Sequence, residues 1–212
     1  MGIFCNGNDW ATSTTSYTRN ATDHSVSFWA RLDDSGAIRR PFGNTGAWEM
    51  RTSGTTLVDD LLQSGTTADF TMTVGTYHHI VMLIDVTNTD RFAYRDGVLA
   101  ASVTTASFTG GQTGTMNIAV APGGAGQGWF GALDDLRIYD RILSVEEIET
   151  IYTCRGTDGI LDSLVHWWPM DEGVEGATVT NLVDVIGGIN CSTITNTPVY
   201  NYDAGIRSRR YV

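Results

Sequence analysis

No lysine occurs anywhere in the 212 residues, and the chain has only 4 prolines and 3 cysteines. Every basic side chain is therefore an arginine, and 13 of these face 24 acidic residues for a formal net charge of −11. That balance excludes a nucleic-acid-wrapping surface, which needs clustered basic groups on phosphates. Cys5, Cys154 and Cys191 are odd in number and include no CxxC pair, so neither a disulfide framework nor a zinc site is indicated. One bridge remains open, but the simpler role is that of small buried apolar residues. No apolar stretch approaches the roughly 20 residues of a membrane helix. The opening MGIFCNGNDW has no basic region followed by an apolar run, so it reads as soluble and not addressed for Sec export. Catalytic motifs are missing too: there is no GxSxG elbow, no HExxH helix and no phosphate loop.

What is abundant points to strands and turns. Glycine numbers 24, aromatic residues make up 10% and charged residues only 17%, the usage of an all-β chain. A chain of this length buries roughly 70% of its unfolded surface, enough for a core without covalent staples. Val26, Phe28, Ala30 and Leu32 alternate with Ser27, Trp29 and Arg31, the period-two pattern of a strand with one face on a core. The run YHHIVMLID from Tyr77 to Asp85 is apolar on both faces after its histidines, as in a central strand covered on both sides. His78 and His79 face opposite ways in such a strand and do not make a metal pair. Asp96-Gly97 supplies a two-residue hairpin turn between flanking strands. Further strands are expected at Met116 to Val120 and at Trp129 to Tyr139, around a glycine-rich loop at 121–128. One helix is signed near 144–153: Ser144 and Glu147 form a capping box, Leu143 and Ile148 a hydrophobic staple, and Gly156 a stop.

The segment GALDDLRIYDRILSVEEIETIY, running from Gly131 to Tyr152, resembles the closing signature of laminin-G-like domains of the concanavalin-A-like lectin/glucanase class. SVSFWARL, YHHIVMLID, FAYRDGVLAAS and GIFCNGNDWAT are similar to that family's earlier strands. The resemblance implies a jelly-roll sandwich of two antiparallel sheets with one short helix. The order of parts is unusual, because LVHWWPMDEGVEGATVTNLVDVIGGINCS at 164–192 resembles a segment that opens the domain in most relatives. A circularly permuted single domain is expected: a main sandwich at 1–153, a connector at 154–163, completing strands at 164–202 and an arginine-containing tail at 203–212. The last strands complete either their own sandwich or a neighbour's, and the short connector favours the first.

The resemblance also implies sites. A structural Ca²⁺ would be held by Asn8, Asp9, Asp134 and Asp135; the alternative is that Asp134 pairs with an arginine or satisfies turn amides. Adjacent acids such as Asp134-Asp135 and Asp171-Glu172 point to opposite faces of a strand, so the acid pair of a glycoside hydrolase is not expected. Among the tryptophans, Trp48 and Trp129 lie beside glycine-rich loops and are the expected glycan-stacking residues, against a core role. Arg207, Arg209 and Arg210 form a basic cluster, read as a solvated tail or as an anchor on an acidic partner. Stand-alone permuted domains of this kind resemble phage structural proteins. The expected function is therefore a non-enzymatic virion or fibre component, a homo-oligomer bound to capsid or tail proteins and a possible binder of glycans. A free extracellular or cell-surface lectin is the alternative, and a glycoside hydrolase comes last.

Overall fold

The computed structural model describes residues 1–19, 21–36, 38–44, 48–60, 69–104, 106–108, 111–120, 127–155 and 157–202. The strands are β1 (Gly2–Asn6), β2 (Trp10–Arg19), β3 (His24–Leu32), β4 (Phe42–Asn44), β5 (Glu49–Ser53), β6 (Thr56–Asp60), β7 (Phe70–Thr71), β8 (Tyr77–Asp85), β9 (Asp90–Arg95), β10 (Val98–Val103), β11 (Gln112–Ile118) and β12 (Phe130–Tyr139). Helix α1 (Val145–Cys154) follows, and then β13 (Leu164–Trp168), β14 (Cys191–Thr195) and β15 (Val199–Asn201). All strand pairs are antiparallel and form two sheets. The first has eight strands in the order β10-β9-β8-β3-β12-β1-β15, with β13 also on β12, and the second has seven in the order β14-β2-β11-β4-β5-β6-β7. This is the all-β sandwich with one helix that the alternation predicts.

The alternating residues explain the layers. Val26, Phe28, Ala30 and Leu32 of β3 meet Phe42, Met50, Met116 and Ile118 of the other sheet in one core between the sheets. Strand β8 is buried on both sides, sending Ile80, Met82 and Ile84 into that core and Val81 and Leu83 into a second cluster under α1. The hairpin turn works as its residues suggest: Asp96 and Gly97 both take positive φ, 55° and 80°, which a type I′ turn requires.

Helix α1 starts at the expected cap. Ser144 Oγ accepts from the Glu147 amide at 3.2 Å while Glu147 Oε2 accepts from the Ser144 amide at 2.8 Å. Arg141 grips the same glutamate through two nitrogens at 2.6 and 2.7 Å. Leu143 and Ile148 pack together in the second cluster as the staple predicts. Arg155, in the left-handed region at φ 50°, caps the end; Gly156, the expected stop, lies outside the described residues.

The segment after α1 enters both sheets. β13 pairs with β12, β15 with β1 and β14 with β2. The adjacent tryptophans divide between the faces: Trp168 is buried in the core between the sheets and Trp167 packs against the second cluster.

Candidate functional site

The outer face of the eight-stranded sheet is closed by chemistry as well as by apolar packing. Trp29 stacks on Tyr152 of α1 with ring centroids 5.8 Å apart, and His79 lies 5.1 Å from Trp29. Tyr152 reaches this spot across the hairpin turn because Gly97 has no side chain; a Cβ there would lie 3.2 Å from the Tyr152 ring. His79 Nε2 meets Ser27 Oγ at 2.9 Å. Burial holds the His79 imidazole neutral, lowering its pKa to about 4 despite the nearby Asp135. Beside it Arg137, itself buried, donates to both oxygens of Asp135 at 3.0 and 3.1 Å, to Asp158 Oδ1 at 2.9 Å and to the Tyr139 hydroxyl at 3.3 Å. The Trp167 indole lies under the Arg137 guanidinium and donates to Asp135 Oδ1 at 2.7 Å.

Asp135 occupies this cluster through a bulge that alternation does not reveal. Its φ is 56°, and the ladder between β12 and β3 shifts register between Asp134 and Arg137. One extra residue then fits between the inward-facing Leu133 and Leu136. Asp134, opposite Trp29 in register, and Asp135 thus share the outer face, contrary to the expectation that adjacent acids diverge. Both are buried, at 0% and 1% exposure, so a substrate does not reach them.

The residues expected to hold calcium are not brought together. Asp9 is fixed in the β1–β2 turn, where Oδ2 accepts from the Asn6 amide at 3.0 Å and Oδ1 from the Thr197 amide at 3.3 Å. Asn8 is exposed, and its carbonyl accepts from the Asn196 side chain. Asn6 pairs with Phe130, four residues or roughly 13 Å of strand from Asp134. A calcium ion needs its oxygens at about 2.3–2.6 Å, so this set does not fit one. Among the described residues no group of three or more His, Cys, Asp or Glu converges on a metal position.

The expected sugar-stacking residues also need correction. Trp48 and Trp129 are both at 0% exposure, and their indole N–H groups donate inward, to His24 Nε2 at 3.4 Å and to the Ala132 carbonyl at 3.2 Å. They are core residues; a neighbouring glycine-rich loop did not make them surface ones. Arg207, Arg209 and Arg210 lie outside the described residues.

The open surface is the outer face of the seven-stranded sheet. Cross-strand pairing sets Thr193, Thr12, Asn117, Gly43 and Glu49 in one polar row across five strands. Thr12 Oγ1 lies 3.0 Å from Asn117 Oδ1. Gly43 permits the row to close: a Cβ would sit 2.6 Å from the Glu49 Cβ. Glu49 accepts from Arg40 Nε at 3.0 Å, an ion pair in which each side chain is 14% exposed. Trp10 lies on the same face two residues from Thr12, alternating with the buried Ala11, and remains partly exposed. This face places the partly exposed Trp10 indole on the same side as a row of polar side chains. The row is not legible in the sequence, because it exists only once the register of five strands is set. Its one local signal was the alternation of Trp10 and Thr12 with Ala11 and Ser13.

The family model of the concanavalin A-like lectin/glucanases superfamily matches residues 6–149, well over half of the chain. No curated protein sequence matches it. Among solved structures the chain is similar to a candidate carbohydrate-binding protein from Bacteroides ovatus, with TM-score 0.68 and 16% identity over 94% of this chain and 60% of that one. It is also similar to a heptameric SAP-like pentraxin from Limulus polyphemus, with TM-score 0.63 and 13% identity over 97% of both chains. The botulinum neurotoxin serotype G binding domain gives TM-score 0.57 and 13% identity, over 72% of this chain and 42% of that one. The chain thus spans about 60% of the length of the Bacteroides protein.

Proposed function

The chain belongs to the concanavalin A-like lectin/glucanases superfamily, and from that premise we propose that it is a non-catalytic carbohydrate-binding jelly roll. Its sugar platform is the outer face of the seven-stranded sheet. The observation that carries this reading is the partly exposed Trp10, two residues from Thr12 at one end of a polar row that runs through Asn117 to the Arg40–Glu49 pair three strands away. An indole packs against the apolar face of a pyranose, and a few fixed polar groups orient its hydroxyls. Binding rather than hydrolysis is favoured by the fate of the acidic pairs: Asp135 is committed to Arg137, and Glu172 accepts from the Val183 amide at 2.9 Å. The three similar structures named above, two of them binding proteins by their descriptions, support the same direction.

The test is a glycan array followed by titration of the best ligand. Saturable binding that is lost at least tenfold in Trp10→Ala, and kept in Trp167→Ala, is the expected result. An array without saturable binding, or a Trp10→Ala protein with unchanged affinity, overturns the reading.

We infer further that the domain is displayed in a larger assembly, a virion or fibre. Purified particles should contain it in stoichiometric amount by mass spectrometry. We also infer a circular permutation. It is supported by a family match that ends at residue 149 and by the pairing of Gly2 with Asn201, which puts the first and last strands side by side.

A further inference from the structure

The rims of the two sheets are treated unequally. On β15, the segment at 176–179 covers the free side: Val179 N donates to the Pro198 carbonyl at 2.8 Å and Tyr200 N to the Ala177 carbonyl at 2.9 Å. On β14, Leu182 exchanges bonds of 3.0 and 2.9 Å with Cys191. On β13, Asp184 imitates a strand, its Oδ1 accepting from the Trp167 amide at 2.9 Å, while Val185 N donates to the Trp167 carbonyl at 2.9 Å. Strand β7 has only two residues. Short, covered or side-chain-blocked edges are the usual guards against unwanted pairing.

Strand β10 is neither covered nor charged, and its one interruption is a register shift between Leu99 and Ala101. Its six residues, VLAASV, carry no charge and no proline. Val98 and Leu99 are 68% and 49% exposed. Among the described residues no backbone partner other than β9 reaches it.

We propose that β10 is a self-pairing edge, along which two copies of this chain join antiparallel about a two-fold axis and continue the eight-stranded sheet from one copy into the other. The occupant is a second copy because the strand is self-complementary. Pairing centred between Ala100 and Ala101 sets Val98 against Val103 and Leu99 against Ser102, so no ionised side chain of the strand faces another. For a chain of net charge −11, an uncharged strip is where two copies meet with the least repulsion. An isologous contact consumes the same edge on both copies and closes at two, and the covered rims β13, β14 and β15 offer no route to a fibre. The register shift between Leu99 and Ala101 shortens the regular run. The strand contact alone falls below the roughly 800 Å² per partner of a standard interface. The dimer is accordingly weak, suited to copies held close together on a common support.

Sedimentation velocity of the full chain from micromolar to millimolar concentration tests this without any glycan present. The expected result is a concentration-dependent dimer, with slowed amide exchange confined to 98–103. Leu99→Lys should weaken it at least tenfold, as should Val98→Lys; both sites are already exposed, so the fold tolerates the change. Val174→Lys, at a residue 69% exposed on the C-terminal segment, should leave it intact. A wild-type chain that stays monomeric throughout overturns the proposal, as does a dimer that survives both β10 substitutions or is lost equally in Val174→Lys. Glycan affinity per chain should be unchanged in Leu99→Lys, which separates failure of this proposal from failure of the sugar reading.

Discussion

The eight-stranded sheet covers its outer face with α1 and the connector and locks Arg137 between Asp135 and Asp158 there, whereas the seven-stranded sheet leaves Thr12, Glu49 and Trp10 uncovered by any described helix. The first face sets its polar groups among an apolar cluster that includes Val81, Leu83 and Ile148, and the second carries a polar row. On the covered face Arg137, Asp135 and Asp158 partner one another inside the protein, because an unpaired buried charge costs several kcal/mol. On the open face the polar groups form a row in which Thr193, Thr12 and Glu49 retain access to water while Asn117 is buried beneath them. A polar residue on a strand therefore says little about function until it is known which face is roofed.

Substitution at Arg137 should separate the two faces most strongly. Arg137→Ala leaves Asp135 and Asp158 buried without their cation and is expected to cost about 3–5 kcal/mol, read as a loss of urea midpoint. Adding Asp135→Asn and Asp158→Asn should recover part of it. A change under about 1 kcal/mol would mean that the roof is looser than its hydrogen bonds indicate.

Acid should act next, and mainly on the roofed face and the core. Burial lowers His24 to about 3 and His79 to about 4, so both are neutral in the folded protein. The unfolded chain binds those protons below about pH 6.5. Stability is therefore complete above that pH and falls as pH drops through the window toward 4 and 3, with a slope approaching ~1.4 kcal/mol per pH unit for each histidine. Asp184 adds to the loss at the acid end. Burial would raise its pKa, but the His166 bond and three backbone amides hold it at about 2. His79→Gln should flatten the dependence between about pH 6 and 4; an unchanged slope would remove His79 from the account.

The cap of α1 is a smaller lever. Ser144→Ala removes the acceptor of the Glu147 amide and should cost about 1 kcal/mol, with calorimetry as the readout. Smallest of all is Trp10→Ala on the open face, expected to change stability by less than about 0.5 kcal/mol while removing glycan affinity. If it instead costs as much as Ser144→Ala, Trp10 is a packing residue and the open face is less open than it looks.

Local signals were legible in the sequence. The alternation of β3, the Asp96-Gly97 turn and the Ser144 capping box depend on neighbours within a few residues, and each formed as its chemistry dictates. Burial was less legible. Trp48 and Trp129 sit beside glycine-rich loops, which suggested a surface, but their inward aim depends on the sheet across the core. The bulge at Asp135 was invisible because its left-handed residue is not a glycine. The calcium set failed for a related reason, since its four residues are near each other in a pattern of types but not along the paired strands. The polar row from Thr193 to Glu49 joins residues from positions 12 to 193 and depends on a register that no local window contains.

The side-by-side placement of β1 and β15, with Gly2 opposite Asn201, has a mechanical consequence. In this antiparallel pair, residues 1 and 202 leave from the same end of the ladder. Tension between them loads its hydrogen bonds one after another, like a zipper, instead of shearing them all together. Pulled by those two points, the sandwich opens at its seam under low force. Held through residues elsewhere in its sheets, it resists as a block.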